Sequence, residues 1–293
     1  MCGIVGLHLR EPSLYPRLGT LLTGMLCQVT ERGPDSAGVA VYGDPRWSPE
    51  GHATVSLLTG DRTPHDVAAA LPGARVADAG QTLVVSAPAD VDALVVAVRD
   101  ALPGAVVIGQ GHDVAVLKGI GHPQALAAEF GLAQAQGWQG VAHTRMATES
   151  AVTPAHCHPF SVGPDQCLVH NGSFANHATI RRELRAAGAV FDSDNDSEVG
   201  ARFVAAQLAA GYDLPTALKL LCERFDGFYT LLVSTRDSFA VVRDAIACKP
   251  AVVAETPQWV AMASEYRALA GLPGVERARI FEPEPEEVYA WQR

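Results

Sequence analysis

A cysteine stands at position two, directly after the initiator methionine. Removal of Met1 would leave Cys2 as the first residue, so one residue would carry both a thiol and a free α-amine. A cysteine thiol has an unperturbed pKa of about 8.5 and an α-amine one of about 8, so a nucleophile and a mild base can coexist there near neutral pH. N-terminal nucleophiles of this kind perform acyl transfer. The alternative is a chance cysteine before a buried strand, but the motifs further along the chain favour the chemical role.

Asn171 and Gly172 form a second candidate pair. The side-chain NH₂ of an asparagine and an adjacent backbone N–H can converge on one oxygen, and a glycine permits close approach, so the pair is suited to an oxyanion hole. Ordinary turn chemistry is the alternative, because Asn-Gly is a common hairpin pair. Beside a nucleophile at Cys2 we favour the catalytic role.

Two charged residues could hold the ends of a free amino acid. The guanidinium of Arg145 matches a carboxylate with two parallel hydrogen bonds, although an arginine at a strand end is most often only solvated. The carboxylate of Asp196 is suited to an ammonium group, although it could instead cap a helix, as its neighbours Ser193, Asp194 and Asn195 could also do.

Hydrophobic periodicity predicts the elements that position these residues. Predicted strands cover 4–9, 37–42, 141–145, 167–172, 228–234, 239–243, 251–254, 259–262 and 288–291. Predicted helices cover 15–30, 176–187, 214–224 and 264–270, and a further helix begins near Ser197. Pro16 is suited to the first turn of its helix, and the strand over 167–172 is expected to end in a tight turn at Asn171-Gly172.

The middle of the chain, from about 44 to 136, carries no recognisable chemical motif. Strand-like runs at 53–58, 82–86, 106–109 and 114–117 alternate with helix-like runs at 64–71, 89–102 and 123–136. This alternation predicts a small α/β subdomain inserted into a single domain that spans 1–293.

Composition excludes several classes of protein. Lys and Arg number 22 against 32 Asp and Glu, a net charge of −10 without a basic run, which argues against a nucleic-acid surface. No run of about eighteen apolar residues predicts a membrane span, and the first residues do not resemble a signal peptide, so we expect a cytoplasmic protein. Its six scattered cysteines are expected to be reduced, and His156-Cys157-His158 lacks the spacing of a zinc site.

Together the motifs resemble, in order, the class II glutamine amidotransferases, a family of N-terminal-nucleophile hydrolases. The matching segments are Cys2-Gly3-Ile4-Val5-Gly6, Arg32-Gly33-Pro34-Asp35-Ser36, His143-Thr144-Arg145-Met146-Ala147-Thr148, His170-Asn171-Gly172, Asp196-Ser197-Glu198, Phe225-Asp226-Gly227-Phe228 and the stretch from Arg243-Asp244 to Lys249-Pro250. The resemblance covers 1–43 and about 138–291. It implies an α+β fold, an αββα sandwich in which two antiparallel sheets lie between helical layers.

The resemblance also implies roles. Cys2 would attack the side-chain amide of L-glutamine and form a glutamyl thioester, with Asn171 and Gly172 as the oxyanion hole. Arg145 would hold the α-carboxylate and Asp196, beside Gly172, the α-amine. Supporting positions are implied for Arg32, which would order the loop beside the nucleophile, and for His143, Thr148 and His158. Two departures are Met146, where many members carry an aromatic residue, and the absence of a propeptide before Cys2.

The ammonia acceptor is expected on another chain. The sequence has no phosphoribosyl-binding loop, ATP-binding P-loop or sugar-phosphate isomerase region. The run from Ala263 to Leu269 and the segment Glu282-Pro283-Glu284-Pro285 resemble most the stand-alone glutamate-synthase-like subunits, which include the amidotransferase subunit of N-methylglutamate synthase. That resemblance implies no cofactor in this chain and FMN and iron–sulfur clusters in the partner. The alternatives are a phosphoribosyl or asparagine-forming acceptor system, and a non-catalytic module that senses glutamine.

Overall fold

The computed structural model describes residues 2–146 and 153–293. Its strands in chain order are β1 Gly3–Leu9, β2 Ser36–Tyr42, β3 Ala53–Leu58, β4 Arg75–Ala79, β5 Thr82–Ala87, β6 Val106–Gly111, β7 Val114–Ile120, β8 Gln139–Arg145, β9 Cys167–Phe174, β10 Gly227–Ser234, β11 Ser238–Arg243, β12 Val252–Glu255, β13 Trp259–Ala263, β14 Arg279–Phe281 and β15 Tyr289–Gln292. The α-helices are α1 Leu18–Gln28, α2 Pro64–Ala70, α3 Val91–Ala101, α4 Pro123–Glu129, α5 His177–Ala186, α6 Asp196–Ala209 and α7 Leu214–Arg224.

Seven strands form the larger sheet, in the order β14-β12-β13-β1-β8-β2-β7, and every pair is antiparallel. β1 lies in the centre, between β8 and β13. Its residues are buried throughout, because both faces of the sheet are covered. Ile4 packs on one side, and Val5 and Leu7 pack on the other. Full burial of such side chains stabilises the fold by ~1.5–3 kcal/mol each.

A second antiparallel sheet, β15-β11-β10-β9, faces the first. The layer between the two sheets is apolar: Ile4 and Val141 of the larger sheet pack there with Val169, Leu232 and Phe239 of the smaller one. This contact brings β9, with Asn171 and Gly172, against the larger sheet that carries Cys2.

Helices cover the outer faces of both sheets. Leu22 and Met25 of α1 pack on the larger sheet, while Val199 of α6 and Leu218 and Leu221 of α7 pack on the smaller one. The layers therefore run α, β, β, α, which confirms the sandwich of antiparallel sheets expected from the sequence.

A third sheet, β4-β5-β3-β6, has its own core with α2 and α3. It occupies 53–111 within the segment of 44–136 for which we predict an insertion. The remainder of that segment joins the main layers: β7 extends the larger sheet beside β2, and Leu126 and Phe130 pack on the side of α1.

Four sequence expectations about local structure are wrong. The segment expected to be helical over 264–270 forms only a short 3₁₀ turn, Tyr266–Ala268. The strand expected to end at Asn171-Gly172 continues to Phe174, because both residues pair with β10. The helix expected over 15–30 is α-helical only from Leu18, since Pro16 lies in a preceding 3₁₀ turn. The helix expected over 123–136 ends at Glu129, where Gly131 adopts a left-handed φ of 63° before a 3₁₀ turn. Within the described ranges, no helix has the length and apolar character needed to cross a membrane.

Candidate active site

Cys2 immediately precedes β1. This end of β1 lies beside the C-terminal end of β8. Gly3 pairs with Thr144, and the same antiparallel register extended by one residue sets Cys2 opposite Arg145. Gly3 has little room: a Cβ there would lie 2.8 Å from Thr144 Oγ1 and 2.9 Å from Val29 Cβ. A side chain at position three would therefore displace the backbone that carries Cys2.

The carbonyl oxygen of Cys2 accepts two side-chain hydrogen bonds. Arg32 Nε donates to it at 3.0 Å and Asn171 Nδ2 at 3.3 Å. Arg32 is itself held by an ion pair between its Nη1 and Glu265 Oε1, at 2.8 Å. These contacts fix the backbone of Cys2 from two directions, one from the 3₁₀ turn before β2 and one from β9 of the smaller sheet.

Ser264 and Glu265, which motif reasoning did not single out as site residues, anchor the start of β1. The N–H of Ile4 donates to Ser264 Oγ at 2.9 Å, and the N–H of Ser264 donates to the carbonyl of Ile4 at 2.9 Å. In the sequence, these two residues are marked only because they belong to the run from Ala263 to Leu269, which resembles the stand-alone subunits. Their role in the fold is to tie the segment after β13 to the chain start.

Arg145 is the last residue of β8 and is 8% exposed. It pairs with Ser36 of β2, and its Nη1 donates to the carbonyl of His156 at 3.4 Å. A guanidinium this buried is not a merely solvated surface group. It lies at the same end of the larger sheet as Cys2.

Gly172 has a backbone that other residues adopt with difficulty. Its φ is +145°, and a Cβ there would lie 2.0 Å from the carbonyl oxygen of Phe228. The N–H and carbonyl of Tyr229, which pairs with Gly172, are both bonded to Asp244 instead, at 2.7 and 3.0 Å. Gly172 and Tyr229 are thus a non-hydrogen-bonded pair, so the N–H of Gly172 points to the open edge of β9.

Asp196 lies beside that edge. The N–H of Phe174, two residues beyond Gly172 and on the same side of β9, donates to Asp196 Oδ2 at 2.8 Å. Asn195 is the N-cap of α6, since its Oδ1 accepts from the N–H of Ser197 at 2.8 Å. The capping role considered for Asp196 therefore belongs to Asn195. Asp196 stays in the first turn, where the helix dipole favours a carboxylate.

Three buried histidines lie beneath the site. His143 of β8 and His158 have ring centroids 4.2 Å apart, and His158 and His170 of β9 have centroids 6.3 Å apart. Burial lowers the pKa of His143 to about 3 and of His170 to about 4, and burial followed by repulsion from His143 holds that of His158 well below its usual value. All three are therefore neutral at physiological pH.

His170 also links the cluster to the substrate-binding candidates. Its Nδ1 lies 2.8 Å from Ser197 Oγ, and Ser197 Oγ donates to Asp196 Oδ1 at 3.3 Å. Sequence reasoning placed His170 in a motif without giving it a role, because nothing in the sequence announces a contact with Ser197.

The structure thus brings Cys2, Arg32, Arg145, Asn171, Gly172 and Asp196 into one region. His143 and His158 lie in the histidine cluster below it, and Thr148 lies outside the described residues. In 2–146 and 153–293, no group of three or more His, Cys, Asp or Glu side chains could hold a metal ion.

Comparison with known proteins identifies the family of the chain. Residues 143–271 match the glutamine amidotransferase domain family. The chain is 48% identical to the glutamine amidotransferase-like protein GlxB of Rhizobium meliloti (strain 1021), over 99% of this chain and 98% of that protein. It is 42% identical to the glutamine–fructose-6-phosphate aminotransferase (isomerizing) of Pseudomonas putida, over 34% of this chain and 16% of the enzyme.

Among solved structures, the glutamine phosphoribosylpyrophosphate amidotransferase of B. subtilis shares the fold. Its TM-score is 0.62 at 17% identity, over 99% of this chain. The chain spans about half the length of that enzyme, 49%. The match to GlxB over nearly the full length of both proteins, with the shared fold, shows that the chain belongs to the family of class II glutamine amidotransferases.

Proposed function

We propose that this chain hydrolyses the side-chain amide of glutamine with Cys2 as its nucleophile. The observation that carries the proposal is the hydrogen bond from Asn171 Nδ2 to the carbonyl of Cys2, because it sets the proposed oxyanion donor against the proposed nucleophile. The chemistry requires the removal of Met1, which frees the α-amine to act as the base.

The reaction would proceed in two stages. Cys2 Sγ adds to the amide carbon as the α-amine takes the thiol proton, and the oxygen becomes an oxyanion. The α-ammonium then protonates the leaving nitrogen, the C–N bond breaks, and ammonia departs to leave a glutamyl thioester. Water, deprotonated by the same amine, adds to the thioester, and its collapse releases glutamate and the free thiol.

The donors are suited to the oxyanion. The amide of Asn171 has two N–H groups, and only one is needed for the Cys2 carbonyl. The N–H of Gly172 faces the open edge of β9, where a second donor is needed. The two charged groups, Arg145 and Asp196, are suited to the α-carboxylate and α-amine of glutamine, and they lie on different elements at the same end of the sandwich.

We also propose that the ammonia passes to a glutamate-synthase-like partner subunit that carries FMN and iron–sulfur clusters. Support comes from the run of 263–269, which resembles stand-alone subunits and which contributes Ser264 and Glu265 to the start of β1. Co-expression with the genes encoded beside this chain, followed by flavin and iron analysis of the complex, tests this part. A complex that binds a phosphoribosyl donor or activates aspartate, without flavin, would instead favour the other acceptors.

The catalytic part is tested by two cysteine variants. Cys2→Ala should lower glutamine hydrolysis by at least about 10³-fold, whereas Cys27→Ala, which changes a half-buried cysteine of α1, should retain activity. A chain extended by two residues before Cys2 should be as inactive as Cys2→Ala, because its amine is locked in a peptide bond. Activity in Cys2→Ala would contradict the mechanism, and an inactive, folded wild-type chain with Met1 removed would favour a glutamine-sensing module.

A further inference from the structure

A cavity of about 320 Å³ lies between the third sheet's subdomain and the main sandwich. Its walls come from α3, β6, β7, the segment of 155–162 and the start of α6. The wall combines apolar side chains such as Val95, Ile108, Phe160 and Val162 with about as many polar or charged ones. The volume is within the range of sites for small molecules.

Lys118 of β7 lines this cavity although it is only 2% exposed. Its Nζ lies 4.9 Å from the centre of the Phe160 ring. In the part of the chain that the structure describes, the Nζ of Lys118 has no hydrogen bond to a protein acceptor and no ion pair. Burial lowers its pKa to about 8, so the ammonium form still prevails at neutral pH.

The choice of lysine is itself informative. The chain has three lysines in all, Lys118, Lys219 and Lys249. Lys118 is buried although the removal of its charge from water is costly. A buried ammonium without an anion beside it is strongly unfavourable, so the position calls for an anion that comes from elsewhere.

The acids of the wall do not meet that need. Asp192 pairs with Arg202 at 2.9 Å, and Asp92 lies at an exposed position of α3. Glu198 also lines the cavity, but its carboxylate already accepts hydrogen bonds from Arg202 Nε, from the N–H of Asp192, and from the N–H and Oγ of Ser193. Among the described residues of the wall, Lys118 is therefore a buried cation without a carboxylate partner, whereas Arg202 is paired with Glu198 and Arg99 is exposed.

The cavity is separate from the site proposed for glutamine. None of Cys2, Arg145, Asn171, Gly172 or Asp196 lines it. The two are neighbours through one segment, since the carbonyl of His156 accepts from Arg145 while Ala155 lines the cavity.

We propose that this cavity binds a small organic carboxylate, which pairs its charge with the ammonium of Lys118. The apolar body of the ligand packs against Phe160 and the side chains of α3 and β6. The ligand is thus a monocarboxylate with a compact hydrocarbon body, and its binding requires no glutamine hydrolysis.

Pairs of small molecules that have the same shape and differ in charge test the role of the carboxylate. Benzoate and hexanoate carry a carboxylate, whereas benzamide and hexanamide have the same shape without the charge. Calorimetry should show saturable binding of at least one carboxylate to the full chain, and Lys118→Met should weaken it by about 10- to 100-fold, as expected for a charge-assisted hydrogen bond. The matched variant Lys219→Met, which removes an exposed lysine from α7, should leave it unchanged.

Acetylation of the wild-type chain gives a readout that does not depend on how a variant folds. With three lysines resolved by mass spectrometry, the carboxylate should slow acetylation of Lys118 but not of Lys219, and the amide should slow neither. Failure of both carboxylates to bind, equal binding to Lys118→Met and to wild type, or protection of Lys118 by the amides as strong as by the acids would each overturn the proposal.

Discussion

The side-chain amide of Asn171 donates to the backbone carbonyl of Cys2 at 3.3 Å, across the interface between the two sheets. Asn171 belongs to the smaller sheet, whereas Cys2 precedes the central strand of the larger one. Relative movement of the sheets would therefore separate the proposed nucleophile from its oxyanion donor. The apolar layer between them, with Ile4, Val169 and Leu232, packs the sheets together and opposes that movement.

Replacing Asn171 by alanine should lower kcat for glutamine by about 10²- to 10³-fold, the usual loss for an oxyanion donor. KM should change little, because the donor acts mainly on the charge that develops in the transition state. Steady-state kinetics checks this, and Asn176→Ala, at the start of α5 and away from Cys2, is the control. Unchanged kcat in the folded variant would remove Asn171 from the mechanism.

Arg145→Met should raise KM for glutamine by about 10- to 100-fold, because the α-carboxylate loses a charged, paired donor. The same variant should hydrolyse 4-aminobutanamide, which lacks that carboxylate, as efficiently as wild type. Arg182→Met, at an exposed position of α5, should affect neither substrate. An equal loss on both substrates would mean that Arg145 supports the fold rather than the carboxylate.

Asp196→Asn should impair the hydrolysis of substrates that carry the α-amine and spare those that lack it. It keeps an oxygen for the N–H of Phe174 but loses the charge, so KM for glutamine should rise about 10-fold, while glutaramate, which lacks the α-amine, should be hydrolysed as by wild type. Asp237→Asn, on the exposed turn between β10 and β11, is the matched control. Equal effects on both substrates would exclude Asp196 as the partner of the amine.

The histidine cluster predicts how stability depends on pH. Burial lowers the pKa of His143 to about 3 and of His170 to about 4, whereas in the unfolded chain a histidine titrates near 6.5. Between these values the unfolded state binds more protons, so the free energy of unfolding falls as the pH drops from about 6.5 toward 4. Urea unfolding at several pH values should show this loss.

A variant isolates the contribution of one ring. His143→Phe should reduce the pH dependence of the unfolding free energy between pH 5 and 6 by up to ~1.4 kcal/mol per pH unit, the effect of one proton. His65→Gln, at an exposed position of α2, should leave the slope unchanged. A slope equal to that of wild type in His143→Phe would show that this ring is protonated in the folded state.

Much of the sandwich could be predicted, because most of its strands and helices carry clear apolar periodicity. The path through Asn171 and Gly172 could not. Asn-Gly is typical of hairpin turns, but pairing with Thr230 and Tyr229 outweighs that local preference. From their order in the sequence, β7 and α4 are expected to belong to the insertion. In the fold they pack against β2 and α1, and no local sequence pattern reveals contacts between such distant residues.

The candidate site likewise contains residues that the sequence identifies and residues that only the fold reveals. Cys2, Arg145, Asn171 and Asp196 could be identified because their residue types and order match a known set of motifs. Ser264, Glu265 and Ser197 act through contacts with distant residues, such as the pair of Glu265 with Arg32, and their types are common on any surface. Lys118 was missed for a different reason: only the fold reveals that it is buried and lines a cavity.

The central place of β1 in its sheet also affects how the protein is made. The neighbours of this strand begin at Gln139 and Trp259, so β1 can complete its pairing only after both of these distant segments have been translated. Pairings between such distant segments are intrinsically slow to form. A growing polypeptide therefore exposes Cys2 without the groups that would surround it, so we expect the proposed glutamine hydrolysis only after the strand that begins at Trp259 has been translated.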